Sequence, residues 1–224
     1  MIDEILPAGV VTSEAFDDSA PVALFPEEAR VVANAVETRQ REFATARLCV
    51  RRALAGLGLP PTPVPPGRHG APRWPDAVIG SITHCAGYRA AAVARTSDVA
   101  MLGIDAEPDR PLPEGVLESI ALPGELGRLR KLRDMEPGVC WDRMLFSMKE
   151  AVYKAWYPAT GRRLEFEDAD IEVDVEEASF TAHIRFPFRP PGGNAVEYLT
   201  GRLLARRNLV VAAIAVPREE GDQS

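Results

Sequence analysis

Apolar residues recur at three- and four-residue spacing over two long stretches and alternate or cluster over most of the rest, a pattern that predicts an α+β protein. The first helical stretch opens at Pro26, with Glu27 and Glu28 in the first turn, where carboxylates complement the helix dipole. Val31, Val32, Ala35, Val36, Phe43, Ala46, Val50 and Leu54 continue it, and Gly56 and Gly58 stop it; one long helix and two helices with a break both fit. The second covers about residues 139–156 and is expected to end before Pro158, with Trp141, Leu145, Met148, Val152 and Ala155 as its buried stripe. Between them AVIGSI, RAAAVA and VAMLGID read as strands. The last two, joined by Thr96-Ser97-Asp98, are expected to be neighbours, with Ser81, Thr83 and His84 at one end of the group and Asp105 at another. A short helix near 114–121 and a basic one near 125–134 follow. Beyond the second long helix, EFEDADIEVDV, SFTAHIRF, VEYLTGRLLA and LVVAAIAV read as strands. Residues 1–25 look irregular and partly extended. The proline-rich stretch LPPTPVPPGRHGAPRWP is an extended loop, either the wall of a site or a plain connector. Both halves run helix then strands, which fits a pseudo-duplicated α+β architecture.

Composition narrows the function classes. The longest apolar run, LVVAAIAV, is strand-sized, so no membrane span is expected. The acidic start, MIDEILPAGV, lacks the basic region of a secretory signal. Cys49, Cys85 and Cys140 are odd in number and follow no metal spacing, so they read as reduced thiols of a cytoplasmic protein. A net charge of −7 argues against a general nucleic-acid binder. The basic residues are nonetheless grouped: Arg39, Arg41, Arg47, Arg51 and Arg52 in one stretch, Arg128, Arg130, Lys131 and Arg133 in another. Local basic surfaces on an acidic chain suit a small phosphorylated ligand or an acidic protein partner.

The candidate chemistry lies in four motifs. In GIDAEP, Asp105 and Glu107 project to the same side of an extended segment, a costly pairing unless a hard cation such as Mg²⁺ or Mn²⁺ joins them; an acidic strand edge would look the same. In WDRMLFSMKEAVYKAWYP, Lys149, Glu150, Tyr153 and Lys154 fall outside the buried stripe. Glu150 and Lys154 are an i, i+4 pair, so a solvated salt bridge and a third carboxylate beside phosphate-binding lysines both account for them. In GSITHCAGY, His84 with Ser81 and Thr83 suits phosphate donation, general-base work or a merely satisfied turn histidine. In TRQREFATARLCVRRAL, Arg39 and Arg47 either flank a groove or are solvated. A nucleophile elbow, a P-loop and a G-x-G-x-x-G fingerprint are all missing, which speaks against a serine hydrolase and against nucleotide-triphosphate or dinucleotide sites.

Taken together, REF…R…AL, G-x-P-x-WP, GSITHCAGY, GIDAEP and WDRMLFSMKEAVYKAWYP resemble the 4′-phosphopantetheinyl transferase superfamily over roughly residues 26–170. The match is to the larger Sfp- and EntD-like bacterial branch, and to actinobacterial enzymes that prime polyketide and nonribosomal peptide synthases. The resemblance implies transfer of the phosphopantetheine arm of coenzyme A to a serine of acyl or peptidyl carrier proteins, with Mg²⁺ (Mn²⁺ the other candidate) and release of adenosine 3′,5′-bisphosphate. It implies that Asp105, Glu107 and Glu150 hold the metal. It further implies that Lys149 and Lys154 contact the phosphates and that His84, with Ser81 and Thr83, meets a phosphate of coenzyme A. Arg39 and Arg47 would bind the adenosine 3′-phosphate end, and Arg68 would stand where relatives often place a loop lysine. The base for the carrier serine would be Glu150, directly or through a water. Two similar lobes, residues 1–103 and 104–224, would enclose the site in a monomer that needs neither nucleic acid nor membrane. The basic stretch from Arg128 to Arg133, with Leu126, Leu129 and Leu132, is a candidate carrier-docking surface or an ordinary amphipathic helix. The alternatives are a metal-dependent phosphodiesterase or nuclease, which would favour a basic DNA face, and a degenerate coenzyme A- or carrier-binding module.

Overall fold

The computed structural model describes residues 1–188 and 195–218. The extended part of the first segment is a strand, β1 (Val11–Ala15). The first helical stretch resolves into two helices, α1 (Pro26–Val32) and α2 (Glu37–Gly56). Pro26 occupies the first turn of α1, where a missing N–H is harmless, and Glu28 accepts the Phe25 backbone N–H at 3.2 Å. Helix α2 packs Cys49, Val50, Ala53 and Leu54 against the first sheet.

That sheet is antiparallel, in the order β1-β3-β2, with β2 (Val78–Cys85) and β3 (Tyr88–Arg95) joined by a tight hairpin through Gly87 at φ 75°. The expectation that the next strand, β4 (Val99–Pro108), neighbours β3 is corrected. Strand β3 has both edges taken by β1 and β2, and β4 passes to a second sheet. It therefore runs across residues 103/104 while pairing along its length with the last strand.

After β4 come α3 (Val116–Ile120), α4 (Pro123–Met135) and α5 (Trp141–Thr160). Helix α5 does not stop before Pro158. The proline sits in its last turn, where only one intrahelical bond is lost, and Gly161 at φ 66° closes the helix with its N–H on the Tyr157 carbonyl at 2.8 Å. The acidic segment read as one strand instead begins with a 3-10 turn over Phe166–Asp168, and only then enters β5 (Ala169–Asp174). Strands β6 (Ser179–Phe188), β7 (Val196–Arg206) and β8 (Leu209–Pro217) complete an antiparallel sheet in the order β4-β8-β7-β6-β5.

Two devices set the geometry of the site. At the junction of the sheets, the Ile104 and Ala106 N–H groups donate to the Ser81 and Thr83 hydroxyls at 3.1 and 3.0 Å. The partners advance together, so β2 and β4 lie parallel, held by side chains where a backbone ladder would otherwise be. The second device is Gly103. A Cβ there would strike the Ala151 carbonyl oxygen and come within 2.6 Å of the Ala155 nitrogen, so only glycine lets α5 lie this close to β4.

Candidate functional site

Strand β4 carries Asp105 one residue past the Ile104 staple, and the close approach at Gly103 sets α5 opposite it. The Lys154 ammonium donates to Asp105 Oδ1 at 2.6 Å, and the Thr83 hydroxyl lies 3.2 Å from the same oxygen. Asp105 Oδ2 is buried with no hydrogen-bond partner. Glu107 follows on the same face and meets Arg143 at 3.1 Å.

Beside this pair opens a cleft of about 460 Å³ between the lobes. One wall comes from α1 and α2, with Val31, Val32, Arg39, Phe43 and Arg47. The end of β2 adds Ser81 and His84, and α5 adds Glu150, Tyr153, Lys154 and Tyr157. The proline-rich loop forms a further wall through Pro66, His69, Gly70, Ala71 and Pro72. It is pinned by Trp74, whose ring lies where a side chain at Gly80 would be. Tyr153 and Tyr157 stack at 5.7 Å, and His69 meets Tyr157 edge-on at 5.6 Å.

The cleft is cationic at its rim. Surrounding protein, then Arg39 and Lys154, push the His84 imidazole down to about 4, so it is neutral near pH 7. Arg39 Nη1 lies 3.3 Å from His84 Nε2. A guanidinium only donates, so Nε2 is the acceptor and Nδ1 carries the proton. Burial pulls Arg47 down to about 10, still charged, and its guanidinium rests 4.1 Å over the Phe43 ring. Glu150 is held above the usual carboxylate range, first by burial and then by the charge of Asp105, with Lys154 opposing. Burial and Asp105 likewise raise Glu107, against Arg143.

Not every residue expected in the site reaches the cleft. Ser81 lines it, but Thr83 is 1% exposed, its hydroxyl committed to Ala106 and Asp105. Lys149 departs furthest from expectation. It is 3% exposed, paired with Glu125 at 2.9 Å and bonded to the Phe166 and Ala169 carbonyls at 2.7 and 2.9 Å, so its donors are spent inside the second lobe. Arg68 is exposed and outside the cleft lining, where the loop presents His69 instead. Sequence reading missed Arg143, which bonds Glu107 and the Arg110 and Pro111 carbonyls. It also missed Arg89, which bonds Asp18 at 2.7 Å and Glu42 at 3.3 Å. Both are arginines whose acceptors lie far away in sequence, a pairing no local pattern reveals.

Asp105, Glu107 and Glu150 are the carboxylates expected to hold a hard dication. Among the described residues no three His, Cys, Asp or Glu side chains are already gathered as an ion site. Glu107 is drawn to Arg143 and Asp105 to Lys154. The set still fits a cation: Asp105 keeps a buried oxygen without a partner, and both glutamates feel its charge unfavourably. Among the described residues no helix is long and apolar enough to cross a membrane.

A cleft with a cationic rim and carboxylates beside it has the charge pattern that suits a phosphorylated small molecule. Two family models divide the chain in the same way as the sheets. Residues 27–94 match the 4′-phosphopantetheinyl transferase N-terminal domain, and residues 101–199 match the 4′-phosphopantetheinyl transferase superfamily. The chain is 53% identical to 4′-phosphopantetheinyl transferase Svp of Streptomyces mobaraensis, over 99% of this chain and 91% of that protein. It is 43% identical to 4′-phosphopantetheinyl transferase Npt of Nocardia iowensis (96% and 99% covered) and 42% identical to 4′-phosphopantetheinyl transferase PptT of Mycobacterium tuberculosis (96% and 98%). The chain belongs to the 4′-phosphopantetheinyl transferase superfamily.

Proposed function

We propose that this protein transfers the 4′-phosphopantetheine arm of coenzyme A to a serine of acyl or peptidyl carrier proteins, releasing adenosine 3′,5′-bisphosphate. The observation that carries this reading is the meeting of Arg39, Arg47, His84, Glu150 and Lys154 in one cleft, with Asp105 bonded to Lys154 behind it. A ligand with separated phosphates needs spaced cations. Arg39 and Arg47 take the adenosine 3′-phosphate end, while His84 and Lys154 face the pyrophosphate. Neutral His84 donates through a ring N–H without the cost of charging beside Arg39.

The carrier serine attacks the β-phosphorus, the bond to the bridging oxygen breaks, and the serine proton passes to Glu150, directly or through a water. Burial and the Asp105 charge hold the Glu150 carboxyl above the usual carboxylate range. Lys154 neutralises charge as it builds on the phosphates and the departing nucleotide. Asp105, Glu107 and Glu150 would hold Mg²⁺ or Mn²⁺, which when bound supplies further charge neutralisation at the pyrophosphate. A monomer fits a cleft built from both halves of one chain, and free Cys49, Cys85 and Cys140 fit action in the cytoplasm.

The test is intact mass spectrometry of a purified apo carrier protein incubated with this protein, coenzyme A and Mg²⁺. The carrier should gain the mass of one phosphopantetheine, and EDTA or Asp105→Ala should abolish the gain. Coenzyme A binding without turnover on several carriers would point to a binding module, and absence of binding would overturn the reading.

A further inference from the structure

The two lobes contain the same buried node. In the first, Glu28 stands three residues into α1, accepts the Phe25 N–H, binds Arg51 at 2.6 Å and accepts the Val64 N–H at 3.0 Å. In the second, Glu125 stands three residues into α4 and accepts the Leu122 N–H at 2.7 Å. It binds Lys149 at 2.9 Å and accepts the Ile171 N–H at 2.8 Å. Each helix begins with proline, each glutamate is 1% exposed, and each bonds a cation of the following long helix and one N–H of the chain beyond it, Glu28 having Arg47 at 3.8 Å as a second cation. Arg51 also ties down the Ala23 carbonyl, as Lys149 ties down those of Phe166 and Ala169. The repetition marks a fastening device built into the fold twice.

We infer that Lys149 is a positioning residue for the transfer reaction: with Glu125 it clamps the 163–169 connection against α5 and thereby holds Glu150, the next residue, in its working orientation. This rests on the transferase reading above. Lys149, Glu150, Tyr153, Arg163, Phe166 and Ala169 line a small groove of about 180 Å³ that neither Lys154 nor Asp105 lines. Phe166, whose carbonyl Lys149 holds, packs against Phe146 of α5 at 5.9 Å. Loosening the clamp frees the wall beside Glu150 while leaving Arg39, Arg47, His84 and Lys154 in place.

The test compares Lys149→Met, Lys149→Arg, Glu125→Gln and the double variant Glu125→Gln/Lys149→Met. Coenzyme A binding is read by calorimetry, turnover by carrier mass, and amide exchange over residues 163–169 by mass spectrometry. Lys149→Met should leave coenzyme A affinity within about twofold, lower kcat by about tenfold or more, and accelerate exchange in 163–169. Glu125→Gln should reproduce that split, and Lys149→Arg should restore kcat, since arginine fills the matching place in the first lobe. The double variant leaves no orphaned buried carboxylate and serves if the single variant fails to fold. A loss of coenzyme A affinity of about tenfold or more in Lys149→Met would mean direct phosphate contact and would overturn the proposal. Unchanged kcat with only a lowered Tm, or normal kcat in Glu125→Gln, would overturn it too. Failure of the wild type to turn over any carrier would count against the transferase reading alone, and unchanged exchange in 163–169 would then still sink the clamp.

Discussion

His84 and Lys154 border the same cleft but meet it in different charge states, and that difference has consequences for pH. The His84 imidazole is pushed down to about 4 by surrounding protein, Arg39 and Lys154, against about 6.5 in an unfolded chain. The unfolded chain therefore binds the proton more readily, and the contribution of this group to stability falls as pH drops from about 6.5 towards 4. His84→Gln should flatten the stability profile in that window, as read by urea denaturation across a pH series. Because the imidazole opens to the cleft, solvent screening keeps the effect modest. The chain has only 3 histidines, so NMR can follow this one directly. Arg39→Gln should raise its pKa, and a bound phosphate should raise it further. Lys154 acts through charge: Lys154→Ala leaves Asp105, 4% exposed, without its cation. Turnover should fall by about a hundredfold or more, with a continuous assay of carrier loading as the readout.

Elements bring these residues together through close approach and shared hydroxyls. Gly103→Ala would drive a methyl group into the α5 backbone, so a loss of roughly 1–3 kcal/mol is expected from chemical denaturation. Turnover should fall more steeply than stability, because displacing α5 parts Lys154 from Asp105. Thr83→Val keeps the shape but orphans the Ala106 N–H, which should cost about 1–3 kcal/mol. These dependencies explain what was legible beforehand. The stripe from Trp141 to Ala155 announced α5 because its period is local. The carboxylates at 105, 107 and 150 stood out because a resemblance joined two distant motifs. Strand β4 was placed beside β3 because a short polar turn usually joins neighbours, and nothing local says that Ser81 and Thr83 hydroxyls replace a ladder. Lys149 read as a site lysine because it adjoins Glu150. Its true partner, Glu125, lies on another helix, and one residue around an α-helix is enough to turn a side chain from a cleft into a core.

At the scale of the whole molecule, charge is distributed against its net sign. The chain carries −7 overall, yet the cleft rim is cationic and α4 presents Arg130, Lys131 and Arg133 to solvent. Of the apolar neighbours expected to share a docking face, Leu126 is half-buried and the other two are withdrawn from it. Leu129 and Leu132 are buried in the core of the second lobe, and Arg128 is occupied by Asp170. Any docking on α4 therefore rests on the three exposed cations, on half-buried Leu126 and on Met135, which is 62% exposed. Such a contact steers encounter more than it adds grip, and it weakens with salt. Reversing the three charges, Arg130→Glu/Lys131→Glu/Arg133→Glu, should raise KM for an acidic carrier by about tenfold at low ionic strength. KM for coenzyme A, whose cleft these residues do not line, should stay unchanged. The gap between variant and wild type should narrow as salt is added. Equal loss toward both substrates would place the damage in the fold, and no loss toward the carrier would move the docking face away from α4.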